Sequence, residues 1–191
     1  IPAPAVSEDV VDRVQFYSKD EKALIQVGPN LLAVNALRPF FGWEELRRTA
    51  LDKMNVYREI CNPRGLRRVG IRYINEILIP GNRISLAEYA LIGPFAPQGE
   101  GQELAFFHVE GVRKFQDPTM LLRFAFATSP SKDEKARFIL DLDVFGDEEV
   151  APEFSALSIW MDKAHERLES FFDSSFTPKA HRDIFKEVGS R

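Results

Sequence analysis

Arg137-Phe138-Ile139-Leu140-Asp141-Leu142-Asp143-Val144-Phe145 is the stretch on which the fold turns. Phe138, Leu140, Leu142 and Val144 recur at period two, while Arg137, Ile139, Asp141, Asp143 and Phe145 take the alternate positions. Successive side chains of a strand point to opposite faces, so one face here is apolar and the other carries charge. Upstream, Leu104 to Phe115 and Met120 to Thr128 also read as strands, separated by Gln116-Asp117-Pro118 and Ser129-Pro130-Ser131-Lys132-Asp133. Those separators have the residues that turns require.

A second meander lies near the start. Arg13 to Tyr17, Ala23 to Val27 and Leu31 to Leu37 are short strand signals, joined through Ser18-Lys19-Asp20-Glu21 and Gly28-Pro29-Asn30. Hairpin-type linkers of this kind imply antiparallel neighbours. Trp43, Leu46, Ala50, Met54, Tyr57 and Cys61 are then spaced 3, 4, 4, 3 and 4, the stripe of an amphipathic helix that must end before Pro63. A long strand follows from Leu66 to Ile79, then a short helix from Ser85 to Leu91, with Ser85 and Glu88 at capping-box spacing. A second long helix is expected over Pro152 to Phe172, with Leu157, Trp160, Met161, Ala164, Leu168, Phe171 and Phe172 as its stripe. Thr177-Pro178 opens a last helix over 177–189, with His181, Ile184, Phe185 and Val188 inward.

The order βββα, β with a short α, then βββα predicts an α+β fold: one curved, mostly antiparallel sheet of six or seven strands, gripping two long helices. Residues 1–12, with two prolines and no periodicity, read as an arm or linker, and 13–191 as a single domain with similar-looking halves at 13–62 and 66–175. Trp43, Leu46, Met54, Tyr57, Ile71, Tyr73, Leu142, Trp160, Met161 and Phe171 are the expected deep core.

Composition agrees. The 191 residues are 45% hydrophobic and 28% charged, enough to bury a core without a metal or disulfide staple. Sixteen Phe against four Tyr imply an aromatic interior. A net charge of -4 argues against bulk nucleic-acid binding, and no apolar stretch has membrane-spanning length. Cys61 is the single cysteine, which excludes an internal disulfide and fits a reducing cytoplasm. Ile1-Pro2-Ala3-Pro4 is neither a signal peptide nor an initiator Met, so further residues are expected upstream.

Catalytic templates fail one by one. Gly93 to Gly101 has prolines where a phosphate cradle needs free N–H groups. The histidines at 108, 165 and 181 have no zinc-ligand spacing, and no serine sits in a nucleophile elbow. Cys61, at the end of an apolar stripe, reads as a core thiol, and His165 as a packed or edge histidine. No catalytic residue, metal or cofactor is expected.

The informative charges lie on Arg67-Arg68-Val69-Gly70-Ile71-Arg72-Tyr73-Ile74-Asn75-Glu76-Ile77. Period two puts Val69, Ile71, Tyr73, Asn75 and Ile77 on one face, and Arg68, Arg72 and Glu76 on the other with Gly70 and Ile74 between. Asn75, on an apolar face, needs an internal hydrogen bond. Arg68, Arg72 and Glu76 have natural counterparts in Asp141 and Asp143, either as a cross-strand ion-pair ladder or as a mixed-charge groove for phosphate or a metal–phosphate complex. Charge is also segregated along the chain: residues 47–72 hold eight bases against two acids, and 133–153 eight acids against two bases. Such a dipole can offer oppositely charged patches to partners.

Leu66-Arg67-Arg68-Val69-Gly70-Ile71-Arg72-Tyr73-Ile74-Asn75 resembles the RxGLRYIN signature of a sporadically distributed prokaryotic family of uncharacterised proteins. Gln26 to Asn35, Gly42-Trp43-Glu44-Glu45, Leu140-Asp141-Leu142-Asp143 and a late helix with His165 and Phe171-Phe172 are similar to its pattern. Ile71 stands in place of the usual Leu, and Glu76 where a basic residue is common. The resemblance implies a further N-terminal strand but no activity, cofactor or catalytic residue, and its patchy distribution is that of mobile accessory or defence genes. The resulting expectation is a non-catalytic, cytoplasmic binding protein or accessory subunit acting on another protein, without membrane or nucleic acid, and with self-association left open. The alternative is a phosphate- or nucleotide-binding enzyme or sensor using Arg68, Arg72, Glu76, Asp141 and Asp143.

Overall fold

The protein is described by a computed structural model covering residues 13–81, 84–93, 105–116, 118–130, 135–146 and 153–185. The expected arm at 1–12, Leu104 and Val188 lie outside the described residues. The fold is α+β with seven antiparallel strands, as the alternations require, but they are divided between two sheets rather than joined in one. The chain forms two compact units with their boundary between Arg64 and Gly65, at the turn that separates the two predicted halves.

The first unit is a meander of β1 (Val14–Tyr17), β2 (Ala23–Gly28) and β3 (Leu31–Ala36), followed by α1 (Trp43–Cys61). Glu44 and Glu45 in the first turn of α1 and Arg58 in its last complement the helix dipole. Asn62 ends the helix in the left-handed region, its N–H bonded to the Arg58 carbonyl at 3.0 Å, and Pro63 prevents continuation. Tyr57 anchors α1 to the β2–β3 turn, donating to the Gly28 and Pro29 carbonyls at 3.3 and 3.1 Å.

Two expectations fail in this unit. Trp43, Leu46, Met54 and Tyr57 are half-buried, and no residue of α1 is fully buried. One helix on three short strands cannot enclose a core, since the buried fraction falls with size. Cys61 is exposed rather than a core thiol. Nineteen helical residues span about 28 Å and six-residue strands about 20 Å, so the turn beyond Tyr57 has no sheet beneath it.

The second unit holds the dense core. Its sheet has the order β4 (Val69–Pro80), β7 (Lys135–Gly146), β6 (Thr119–Ser129), β5 (His108–Gln116), every neighbour antiparallel. The helix α2 (Leu157–Ser174) packs on β7 and β4 and buries Leu157, Trp160, Met161, Ala164, Leu168 and Phe171, the stripe read from the sequence except for Phe172, which is half-buried. Against it lie Leu140, Leu142, Val144 and Leu122, all 0% exposed. Phenylalanine fills the far end: Phe107, Phe126, Phe138 and Phe176 pack in edge-on and tilted pairs with ring centroids 5.3–6.3 Å apart. Gly111 on β5 faces Phe124, whose ring would meet an added Cβ at 2.5 Å.

Thr177 caps α3 (Pro178–Asp183) as expected, its hydroxyl accepting from the Ala180 N–H at 3.3 Å, but the helix expected to run to 189 ends before Ile184 and Phe185. The helix expected from Ser85 is only a 3-10 turn, Leu86–Glu88, and Ser85 makes no side-chain cap bond. Glu88 pairs with Lys179 instead of closing a capping box, and its carbonyl accepts from the Thr177 hydroxyl at 2.6 Å.

The uneven core predicts uneven sensitivity. Leu140→Ala should lower unfolding free energy by about 2–5 kcal/mol, as for other buried leucines. Met54→Ala, at a half-buried position, should cost less than half as much. Chemical denaturation monitored by circular dichroism checks both, and equal losses would contradict the partition of the core.

Candidate functional site

The face of the second sheet opposite α2 carries the charges. The β4–β7 register runs without interruption from Val69 opposite Gly146 to Pro80 opposite Lys135. It puts Arg72 opposite Asp143, Ile74 opposite Asp141 and Glu76 opposite Ile139. On the other side of β7, Asp143 faces Arg123 and Asp141 faces Ala125, while Arg123 faces Val112 of β5. Arg72, Glu76, Asp141 and Asp143 therefore share one sheet face, and Arg68, one residue before β4, reaches it through its side chain.

Their bonds are mutual. Arg72 holds Asp141 through two contacts, Nε to Oδ1 at 2.8 Å and Nη2 to Oδ2 at 2.5 Å. Arg68 Nη2 donates to Asp143 Oδ2 at 2.7 Å, Arg137 Nη1 to Glu76 Oε1 at 2.7 Å, and Arg123 Nε to Glu110 Oε1 at 2.6 Å. Arg72, Glu76 and Glu110 each reach the residue opposite their own position plus two. A twisted sheet brings one diagonal closer than the other, and long side chains span it. The Asp141 carboxylate beside Arg72 holds that guanidinium above its ordinary value, more than burial lowers it.

Gly70 belongs to this arrangement. A Cβ there would lie 3.3 Å from the Arg68 guanidinium, Asp143 and Phe145. The missing side chain lets Arg68 fold back over Gly70 to reach Asp143, with its guanidinium 4.6 Å from the Phe145 ring centre. The Arg-x-Gly spacing was the signal, but one sequence does not say which carboxylate the arginine seeks.

Between Arg72, Arg123, Ala125, Asp141 and Asp143 is a hollow of about 40 Å³. That is room for a few waters. Two carboxylates form part of its wall, so an anion entering between Arg72 and Arg123 would meet Asp141 and Asp143 as well. Nor do the acids assemble for a cation: among the described residues no group of three or more His, Cys, Asp or Glu could hold a metal ion. Glu76 is drawn toward Arg137, away from the two aspartates. A wider depression of about 580 Å³ flanks the start of α1, but its lining comes wholly from residues 41–52.

On the helical face, one polar chain was missed by sequence reasoning. The Tyr73 hydroxyl lies 3.0 Å from His165 Nδ1, and His165 Nε2 lies 3.3 Å from Glu169. A carboxylate only accepts, so in the neutral ring Nε2 carries the proton and Nδ1 accepts from the phenol. Burial, and then the charge of Glu169, push the Tyr73 phenol above its ordinary value. A phenol so held is a poor nucleophile, and His165 serves as a packed edge residue. The helical i, i+4 spacing of 165 and 169 was legible; their meeting with Tyr73, half-buried rather than deep, was not. Asn75 finds its internal partner, donating to the Leu140 carbonyl at 3.1 Å.

No family model matches the chain, no curated protein resembles it in sequence, and no solved structure resembles it. Among the described residues no helix is long and apolar enough to cross a membrane.

Two measurements follow from this geometry. A double-mutant cycle on Arg72→Ala and Asp141→Ala should give a coupling of about 0.2–1 kcal/mol that shrinks with added salt, because Arg72 is 57% exposed. The raised Tyr73 phenol stabilises the fold fully below pH ~10, the unfolded value. Above it the unfolded chain loses this proton first, so stability falls as pH rises. Thermal melts should therefore drop above pH ~10, and Tyr73→Phe should flatten that drop; an unchanged alkaline slope would refute the assignment.

Proposed function

We propose that this is a non-catalytic binding protein, an accessory subunit of a prokaryotic system of defence or toxin–antitoxin-like character, which acts through protein–protein contacts. The observation that carries this reading is the uncovered apolar surface of the first unit. Among its described residues only Leu24 is buried. Val14 and Phe16, two apart on one face of β1, are 48% and 55% exposed, and Val56 and Ile60, one turn apart on α1, are 48% and 76% exposed. Covering a large apolar side chain contributes about 1.5–3 kcal/mol, so a complementary protein surface has much to gain here. The prokaryotic setting rests on the resemblance of residues 66–75 to the RxGLRYIN strand.

The competing reading, an enzyme or sensor taking phosphate on the charged face, has Arg72 and Arg123 beside the hollow in its favour. Against it stand the engagement of Arg68 and Arg72 by Asp143 and Asp141 and the hollow's small volume. Nucleotides and polyphosphates, with and without Mg²⁺, should leave the melting temperature unchanged. A ligand at 100 times its Kd would add about 2.7 kcal/mol, readily seen. A rise abolished by Arg72→Glu would establish the phosphate reading.

The experiment for the main reading compares wild type with Val14→Asp/Phe16→Asp and with Ile60→Glu as baits in host lysate. The variants should keep the wild-type circular dichroism spectrum, since surface changes usually cost within about 0.5 kcal/mol. Wild type should retain a protein by mass spectrometry that at least one variant loses. Elution of the wild type alone at low salt would remove the reading.

A further inference from the structure

The charged face and its border strand lead to a second interaction surface, independent of the first unit's apolar patch. Among the described residues β4 pairs with β7 on one side and with no strand on the other. It is twelve residues long with no bulge in its register, and a long regular edge is a template for further pairing because alternate N–H and C=O groups point outward. Ile74, near its middle, is 61% exposed. Arg72 and Glu76 stand two positions to either side of it, on the same face.

We propose that β4 pairs antiparallel with β4 of a second copy of this chain, about a two-fold axis through Ile74. An isologous strand pair centred on one residue sets position 74 minus n opposite 74 plus n. That register puts Ile74 against Ile74, Arg72 against Glu76 and Glu76 against Arg72, so both charge contacts across the axis are attractive. On the helical face it sets Ile71 against Ile77 and Tyr73 against Asn75. The two four-stranded sheets then continue as one, with their charged faces on the same side. Arg72 and Glu76 keep Asp141 and Arg137, each gaining a second neighbour of opposite sign.

The opposite border, β5, is the natural comparison. It is nine residues long, has Gly111 inside the strand and carries Arg113 and Lys114 side by side. Interior glycine weakens a strand, and edge cations discourage pairing. Its exposed Val112 provides the control.

Sedimentation equilibrium over a concentration series should show a dimer, in keeping with an edge of limited area. Ile74→Lys, which sets like charges face to face at the axis, should raise the dimer Kd about tenfold or more; Val112→Lys should leave it unchanged. In a Cys61→Ser background, Ile74→Cys should be joined to its copy by a short bis-maleimide, because directly opposed side chains stand about 4.5–5.5 Å apart at Cβ. Val112→Cys should stay single. Circular dichroism on each variant separates unfolding from dissociation, and the crosslink needs no destabilising charge. A monomer at every concentration with no crosslink at position 74, or a dimer indifferent to Ile74→Lys, overturns the proposal. So does crosslinking at 112 alone.

Discussion

The pairing of β4 with β7 is the constraint on which the second unit depends. Twelve consecutive residue pairs hold one register, and side chains alternate along both strands, so this register assigns every residue of either strand to a face. It aligns Ile71, Tyr73 and Asn75 with Val144, Leu142 and Leu140 beneath α2, and Arg72 and Glu76 with Asp143 and Ile139 on the other side. A shift by one residue would drive Asp141 and Asp143 under α2 and put Leu140 and Leu142 in water. Burying two unpaired carboxylates costs far more than any surface ion pair returns, so the hydrophobic alternation chooses the register and the ladder follows it.

The same pairing joins parts of two charged runs that are prominent along the chain. Basic residues crowd positions 47–72 and acidic ones 133–153, which suggests two patches of opposite sign. In the folded second unit Arg68 and Arg72, from the basic run, face Asp143 and Asp141, from the acidic one, and each is bonded to one of them. At these two pairs, linear charge segregation becomes local neutrality. Because the arginines remain more than half exposed while Asp143 and Asp141 are 18% and 26% exposed, the pairs orient side chains more than they stabilise the fold.

The two units handle apolar surface differently. In the second, a four-stranded sheet and an 18-residue helix enclose Leu122, Leu140, Leu142, Val144 and Leu168 completely. In the first, a helix of similar length covers a smaller sheet and leaves its own stripe half-buried. Both stripes are equally regular in sequence. Periodicity records which side of a helix is apolar, whereas burial depends on how much opposing surface is available to cover it.

Elements whose physics is local were legible from the residues alone: the strands from period-two alternation, α1 and α2 from their stripes, the Thr177-Pro178 cap, and the shared faces of Arg68, Arg72 and Glu76 and of Asp141 and Asp143. The capping-box spacing at Ser85 and Glu88 was legible too, but Lys179 and Thr177, some 90 positions away, engage Glu88 instead. The division into two sheets, the exposure of Cys61, the pairing of particular arginines with particular aspartates and the meeting of Tyr73 with His165 belong to the tertiary structure. Each depends on distances between residues remote in the chain, which twist, element length and packing determine together. Alternation within a strand says which side a residue takes; only the neighbouring strand decides what it meets there.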